Sequence, residues 1–301
     1  MPLIKTPQYW KKLAEDISVI KGVVMVLGAS DVGKTTLVFY LAGELLRRGN
    51  RVSVVSADMG QCAFGPPATI SMGMPESTKK SLECIPVHSM YFVGSTSPVG
   101  HFLQTIVGVK KLVERSLREG AEVVIVDTTG LVSGGAAWEL KHHKIELAGA
   151  RCIVALQRER ELEDIVLPFE RRAGVKLYRL PVSGHVRSRS YAERREYRRQ
   201  RYGEYFRGSK CKSLSLTRIH IISPYDRAVQ AGEADAFKRI LVGLNDENNF
   251  TAALGIVEKM DIRRGVVRLV TPLKDLLDVR SIRLGSVRIE EDGNDSKVGS
   301  V

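Results

Sequence analysis

Five apolar residues, Val23-Val24-Met25-Val26-Leu27, run directly into Gly28-Ala-Ser-Asp-Val-Gly33-Lys34-Thr35, and a helical pattern begins at once. The apolar run predicts a buried strand. Lys34 to Arg48 then places Leu37, Val38, Leu41 and Leu45 on one helical face and stops at Gly49. A second strand, Arg51 to Ser56, completes a strand–helix–strand unit, which forces a parallel sheet. The intervening spacing, G-x-x-x-x-G-K-[ST], is that of a phosphate-binding loop. Its glycines let backbone N–H groups turn inward on phosphate oxygens at a helix N-terminus. The candidate nucleotide-binding residues are therefore Gly28, Ala29, Ser30, Asp31, Val32, Gly33, Lys34, Thr35 and Thr36. Lys34 is expected to reach the β- and γ-phosphates, and the Thr35 hydroxyl to ligate Mg²⁺.

The rest of the chain extends this pattern. Leu103, Ile106, Val107, Val113 and Leu117 predict a helix before the strand Glu122 to Val126, and Arg151 to Leu156 and Val175 to Leu180 predict further strands. From about Ser209 the rhythm changes to short strands and turns, with a helix near Glu233 to Leu241, a bulge at Gly285 and a frayed tail from Glu291. The expected fold class is α/β: a P-loop NTPase with a doubly wound, mostly parallel sheet and a smaller β-rich C-terminal domain. The expected boundaries are a helical segment at 1–20, a P-loop domain at 21–208 and the β-rich domain at 209–301.

With 44% hydrophobic and 27% charged residues in 301, the chain has the composition of a folded protein of about two domains. No apolar run is long enough to span a membrane, and Met1-Pro2-Leu3-Ile4-Lys5 does not open a secretory signal, so a cytoplasmic location is expected. Cys62, Cys84, Cys152 and Cys211 are scattered and read as buried thiols, not as a zinc site or disulfide framework.

Three further groups carry chemistry. Asp127 follows four apolar strand residues and heads Asp127-Thr-Thr-Gly130, where an acid can contact a magnesium ion or its waters. Asp58-Met-Gly60-Gln61 closes the second strand, so it opens at the same sheet edge as the phosphate loop. A carboxylate there can accept a proton or hold a metal-bound water, and Gln61 beside it can orient a nucleophile. Finally, nine basic residues against three acids between Gly184 and Cys211 supply half of the net charge of +12. Arg194, Arg198 and Arg201 lie at i, i+4 and i+7, with Arg195 beside them, which favours a phosphate-closing lid or a nucleic-acid surface over a merely solvated helix.

These motifs resemble the polynucleotide 5′-hydroxyl kinases related to the RNA-kinase subunit of eukaryotic pre-mRNA cleavage factor and to the nucleolar pre-rRNA processing kinases, especially their shorter archaeal members. The resemblance rests on the phosphate loop, Asp58-Met-Gly-Gln61, Thr128-Thr-Gly-Leu-Val132, Val186-Arg-Ser188 and Glu204-Tyr-Phe206, and further on Leu254-Gly-Ile-Val257, Thr271-Pro272 and Leu284-Gly285. It implies transfer of the ATP γ-phosphate to the 5′-OH end of RNA or DNA, with Mg²⁺. It also implies Asp58 as general base, beside the metal-linked role read above from its place at the strand end, and a lid at about 186–207 carrying the arginines. The chain departs from the family in having Ser56 where many members carry a second acid, and Leu131 where the cleavage-factor members have a Trp associated with RNA stacking. The competing readings are a nucleotide-switched GTPase or ATPase, suggested by Asp127-Thr-Thr-Gly130, and a catalytically silent ATP-binding scaffold. Gln157-Arg158-Glu159-Arg160 stands where a guanine-recognising N-K-x-D is expected, which argues against GTP.

Overall fold

Strand β1 (Gly22–Gly28) lies between two parallel neighbours, β5 (Val123–Thr128) and β6 (Ala150–Gln157), in a computed structural model that describes residues 7–76, 85–223 and 234–298. β2 (Val52–Ala57) flanks β5 and β7 (Lys176–Pro181) flanks β6, both parallel, while β3 (Thr69–Gly73) runs antiparallel against β2. The order β3-β2-β5-β1-β6-β7 makes the α/β sheet that the apolar runs require, because strands buried on both faces cannot alternate with polar residues. The described residues divide into two units. The first lies within 1–58, 71–88 and 105–189; the second comprises 59–70 and 89–104 with the chain from 190 onward.

In the first unit α2 (Lys34–Arg47) buries Leu37, Val38, Leu41 and Leu45, the face expected from its spacing. α1 (Gln8–Ile20) packs on α2, with Trp10 and Tyr40 rings 5.3 Å apart. α3 (Phe102–Arg118) corrects the apolar stripe read from the sequence: Leu103, Val107 and Leu117 are exposed. The buried face is instead Thr105, Gly108, Val109, Leu112, Val113 and Ser116. Small and hydroxyl-bearing residues serve there because Ser116 satisfies its hydroxyl locally, on Leu112 O, and meets Ser53 Oγ of β2 at 2.8 Å. α4 (Gly135–Ala148) and α5 (Glu163–Glu170) complete the unit.

The second unit is β-rich. β8 (Lys210–Ser215), β10 (Ile240–Asn245), β11 (Thr251–Asp261), β12 (Val266–Thr271), β13 (Ser281–Ile289) and β14 (Asp295–Lys297) form an antiparallel sheet in the order β14-β13-β10-β11-β12-β8. β9 (His220–Ile222) joins β13 in parallel. The β10–β13 register shifts between Ile240 and Val242, opposite Leu284 to Arg288, as the slip at Gly285 predicts. One face buries Phe237, Val242, Leu244, Val257 and Leu269. The other collects Ala68, Phe92, Tyr202, Leu241, Leu254 and Val287. Phe92 ends β4 (Ser89–Phe92), and its N–H donates to Thr251 Oγ1 at 2.8 Å.

Three expectations are corrected here. The segment near Glu233 to Leu241 is a single 3-10 turn, Ala234–Phe237, after which Ile240 starts a strand; Glu233 itself lies outside the described residues. The C-terminal stretch is not frayed, because Asp295–Lys297 pairs with β13. Cys211 is exposed, its thiol donating to Glu258 Oε2 at 3.0 Å, whereas Cys62 and Cys152 are buried and Cys84 lies outside the described residues. Burial pushes the Cys152 thiol up to about 12. α6 (Tyr191–Tyr205), which buries Tyr202 against the β-rich sheet, lies in the second unit.

Phe92 sits over Gly243, where an added Cβ would come within 2.6 Å of the Phe92 Cβ. Gly243→Ala should therefore destabilise the protein by about 1–3 kcal/mol through overpacking, read as a lowered denaturation midpoint with an unchanged slope.

Candidate active site

The order β2-β5-β1 brings three carboxyl-terminal strand ends together in the first unit. Asp127 stands opposite Ser56 of β2 and Val26 of β1, so the chain leaves the sheet at Asp58, at Thr128-Thr129-Gly130 and at the phosphate loop side by side. In the loop, Asp31 and Gly33 adopt left-handed conformations, with φ of 54° and 87°. Gly33 then caps α2 without a side chain, leaving the first-turn N–H groups of the helix available to an anion. Gly28 is equally constrained: a Cβ there would meet Val32 Cγ2 at 2.6 Å and Leu156 O at 2.9 Å.

Lys34 is buried and folds back to donate from Nζ to Ala29 O at 2.7 Å. The next residue makes the central contact of the site: Thr35 Oγ1 donates to Asp127 Oδ2 at 2.6 Å. Asp127 is buried, and its second oxygen, Oδ1, has no hydrogen-bond partner. Burial pushes its carboxyl up to about 6; Lys34, the Thr35 hydroxyl and Lys141 oppose the shift, and Asp58 adds to it.

Two cations that the sequence reading passed over stand behind this edge. Lys141 and Lys144, one turn apart on α4, are both buried. Lys141 Nζ donates to Thr128 Oγ1 at 2.8 Å and to Thr129 O, and Thr128 Oγ1 donates in turn to Val26 O at 2.8 Å. Lys144 Nζ has no partner, and burial lowers it to about 8 against the attraction of Asp58 and Asp127. The available signal was a pair of lysines interrupting the apolar face Ala137, Leu140, Ile145 and Ala148 directly after the Thr-Thr-Gly turn.

That turn is tied to the phosphate loop by contact. A Cβ on Gly130 would lie 2.2 Å from Ser30 Oγ and 2.6 Å from Ser30 N, so only glycine fits. The start of the basic segment also reaches the loop: the Arg189 N–H donates to Asp31 Oδ2 at 3.1 Å, and Val186 stands against Gly33. The expected lid is thus split, since 186–189 belong to the first unit and α6 to the second.

Within the second unit α6 opens with a capping box between Ser190 and Glu193. Arg198 Nε pairs with Asp295 Oδ1 at 2.9 Å, and Arg201 donates to Gly65 O at 2.9 Å and Glu204 at 3.2 Å. Arg194, Arg195 and Gln61 are half-buried, and Gln61 also belongs to this unit.

The first-unit residues suit a nucleotide with a hard divalent cation. The unshared Asp127 Oδ1 beside the Thr35 hydroxyl is an oxygen donor set, the kind Mg²⁺ takes. Among the described residues no cluster of three or more His, Cys, Asp or Glu could hold a metal, so phosphate and water would have to complete such a shell.

The model of the mRNA cleavage and polyadenylation factor CLP1 P-loop family matches residues 28–208. The chain belongs to this family. It is 32% identical to a polyribonucleotide 5′-hydroxyl-kinase of Methanocaldococcus jannaschii over 90% of this chain and 88% of that protein. It is 33% identical to the Pyrococcus abyssi protein of the same name over 90% of this chain and 89% of the relative. The solved wild-type Clp1p in complex with Pcf11p shares the fold, with a TM-score of 0.71 at 16% identity, covering 94% of this chain and 80% of that one. The CLP1 P-loop family match therefore spans the phosphate loop, Asp58, Asp127 and α6 together.

The raised Asp127 carboxyl makes a signed prediction. Between the ordinary value of 3.8 and about 6 the native state holds a proton that the unfolded state releases, so this group's contribution to stability falls as pH rises through that window. Asp127→Asn should therefore gain stability relative to the parent between pH 4 and 7, on the order of 1–3 kcal/mol, and plateau above. Denaturant titrations of both proteins across that range check it; a constant difference between them would remove the buried charge as the cause.

Proposed function

We propose that this protein is an ATP-dependent polynucleotide 5′-hydroxyl kinase that transfers the γ-phosphate to the 5′-OH end of RNA. The observation that carries the reading is the pairing of a complete phosphate loop, locked to Asp127 through Thr35, with a second carboxylate, Asp58, at the adjacent strand end. Lys34 exchanges the Ala29 carbonyl for phosphate oxygens, and the first-turn N–H groups of α2 take the others. Thr35 and Asp127 would hold Mg²⁺, which when bound neutralises charge on the phosphates. Asp58 accepts the proton of the attacking 5′-hydroxyl, and Gln61 helps to orient that group. Arg194, Arg195, Arg198 and Arg201 offset charge on the transferring phosphoryl, the role for which a planar guanidinium is suited.

The switch-GTPase alternative loses support at Gln157. This residue donates to Glu163 Oε1 at 2.7 Å and accepts from the Leu162 N–H, so it organises its own loop. The cytoplasm is the proposed location, and among the described residues no helix is long and apolar enough to cross a membrane.

Transfer of labelled γ-phosphate from ATP to short oligoribonucleotides tests the proposal, with 5′-phosphorylated and 5′-hydroxyl DNA strands as further arms. Only 5′-hydroxyl ends should accept label. Lys34→Ala should abolish transfer while keeping its circular dichroism spectrum. Asp58→Asn should keep its KM for ATP and lose about 10²–10⁴-fold in kcat, since an amide cannot take the proton. An Asp58→Asn enzyme with parental kcat would remove that residue from the base role.

A further inference from the structure

The C-terminal strand β14 was expected to be a loose end, yet it carries the carboxylate that meets the arginine helix. Asp295 pairs with Ile289 in the β13–β14 ladder, which fixes its backbone. Its Oδ1 accepts from Arg198 Nε at 2.9 Å, and the two side chains are only 8% and 11% exposed. Neither charge would be tolerated there alone.

The contact is specific in which nitrogen it uses. A guanidinium is planar, and its two terminal NH₂ groups form the fork that grips phosphate oxygens in pairs. The bond from Asp295 takes Nε, the elbow of the group, so it fixes the plane of the fork without using the fork to do so.

Asp295 is not needed merely to hold the helix. Tyr197 OH donates to Cys62 O at 2.6 Å, and Arg201 donates to Gly65 O at 2.9 Å. Tyr202 is buried in the sheet's aromatic cluster, and Tyr205 OH accepts the Leu254 N–H at 2.9 Å. A helix with four such anchors gains little from a desolvated ion pair, which an apolar pair of similar volume commonly replaces without loss of stability.

We propose that Asp295 is a positioning residue for phosphoryl transfer: the C-terminal strand holds Arg198 by its Nε and thereby sets the plane in which its fork meets phosphate charge. This rests on the kinase reading, in which the α6 arginines act on the transferring group.

A double-mutant cycle tests it, using Asp295→Asn, Arg198→Met and the two combined in the full chain. The readouts are kcat, KM for ATP and for a 5′-hydroxyl oligoribonucleotide, and the melting temperature. Asp295→Asn should lower kcat roughly tenfold, a coupling of ordinary size between touching groups, with KM for ATP nearly unchanged. The combined variant should be no slower than Arg198→Met alone. Equal losses from Asp295→Asn in both backgrounds, or a lowered melting temperature with parental kcat, would overturn the proposal. If Arg198→Met itself keeps parental kcat, the role of Arg198 in the reaction fails and the proposal falls with it. A slow Arg198→Met beside a fully active Asp295→Asn fails the proposal alone. Should Asp295→Asn not fold, Asp295→Glu, which keeps the charge but displaces it by one methylene, enters the same cycle under the same criteria.

Discussion

The hydrogen bond from Thr35 to Asp127 joins the first turn of α2 to the end of β5, and the geometry of the edge follows from it. A carboxylate sealed from water must find compensation from other elements, because its own strand offers only backbone already committed to the sheet. Thr35 supplies a donor, and Lys34, Lys141 and Lys144 supply positive charge within range. Burial makes Lys141 and Lys144 easier to deprotonate, and Asp58 and Asp127 oppose that shift. The charges of this edge are thus coupled to one another. Lys141 braces the Thr128–Thr129 turn, and the following residue, Gly130, has no room for a side chain against Ser30.

The candidate site residues are distributed unevenly over the chain. The first unit holds the phosphate loop, Asp58, Asp127 and the buried lysines, while the second holds Gln61 and the α6 arginines. Asp58 and Gln61 are three residues apart in sequence and fall in different units. Within the second unit the β-rich sheet is the platform on which the arginine helix is built.

Much of the first unit was legible in the residues. The phosphate loop, the face of α2 and the position of Asp127 each depend on local spacing, which a linear reading captures. Failures came where a contact distant in sequence decided the outcome. α3 hides Ser116 because a serine of β2 waits opposite, and nothing within the helix announces that partner. Asp295 lies in a run of Asp, Asn and Gly that reads as a tail until its pairing with β13 and its ion pair with Arg198 are seen. Lys141 and Lys144 were missed for the opposite reason: lysine is so commonly solvent-facing that its place on an apolar stripe attracts no notice.

The anchoring of α6 also bears on conformational entropy. A fifteen-residue helix dominated by Arg, Glu, Gln and Tyr would be marginal alone in water, and each arginine side chain carries about 2 kcal/mol of rotamer freedom. In this fold Tyr202 and Tyr205 immobilise the backbone of the helix, while Asp295 and Gly65 restrict Arg198 and Arg201. That freedom is surrendered once, when the chain folds, so a phosphate meeting these arginines would not have to order them again, as it would in a segment that ordered only around its ligand.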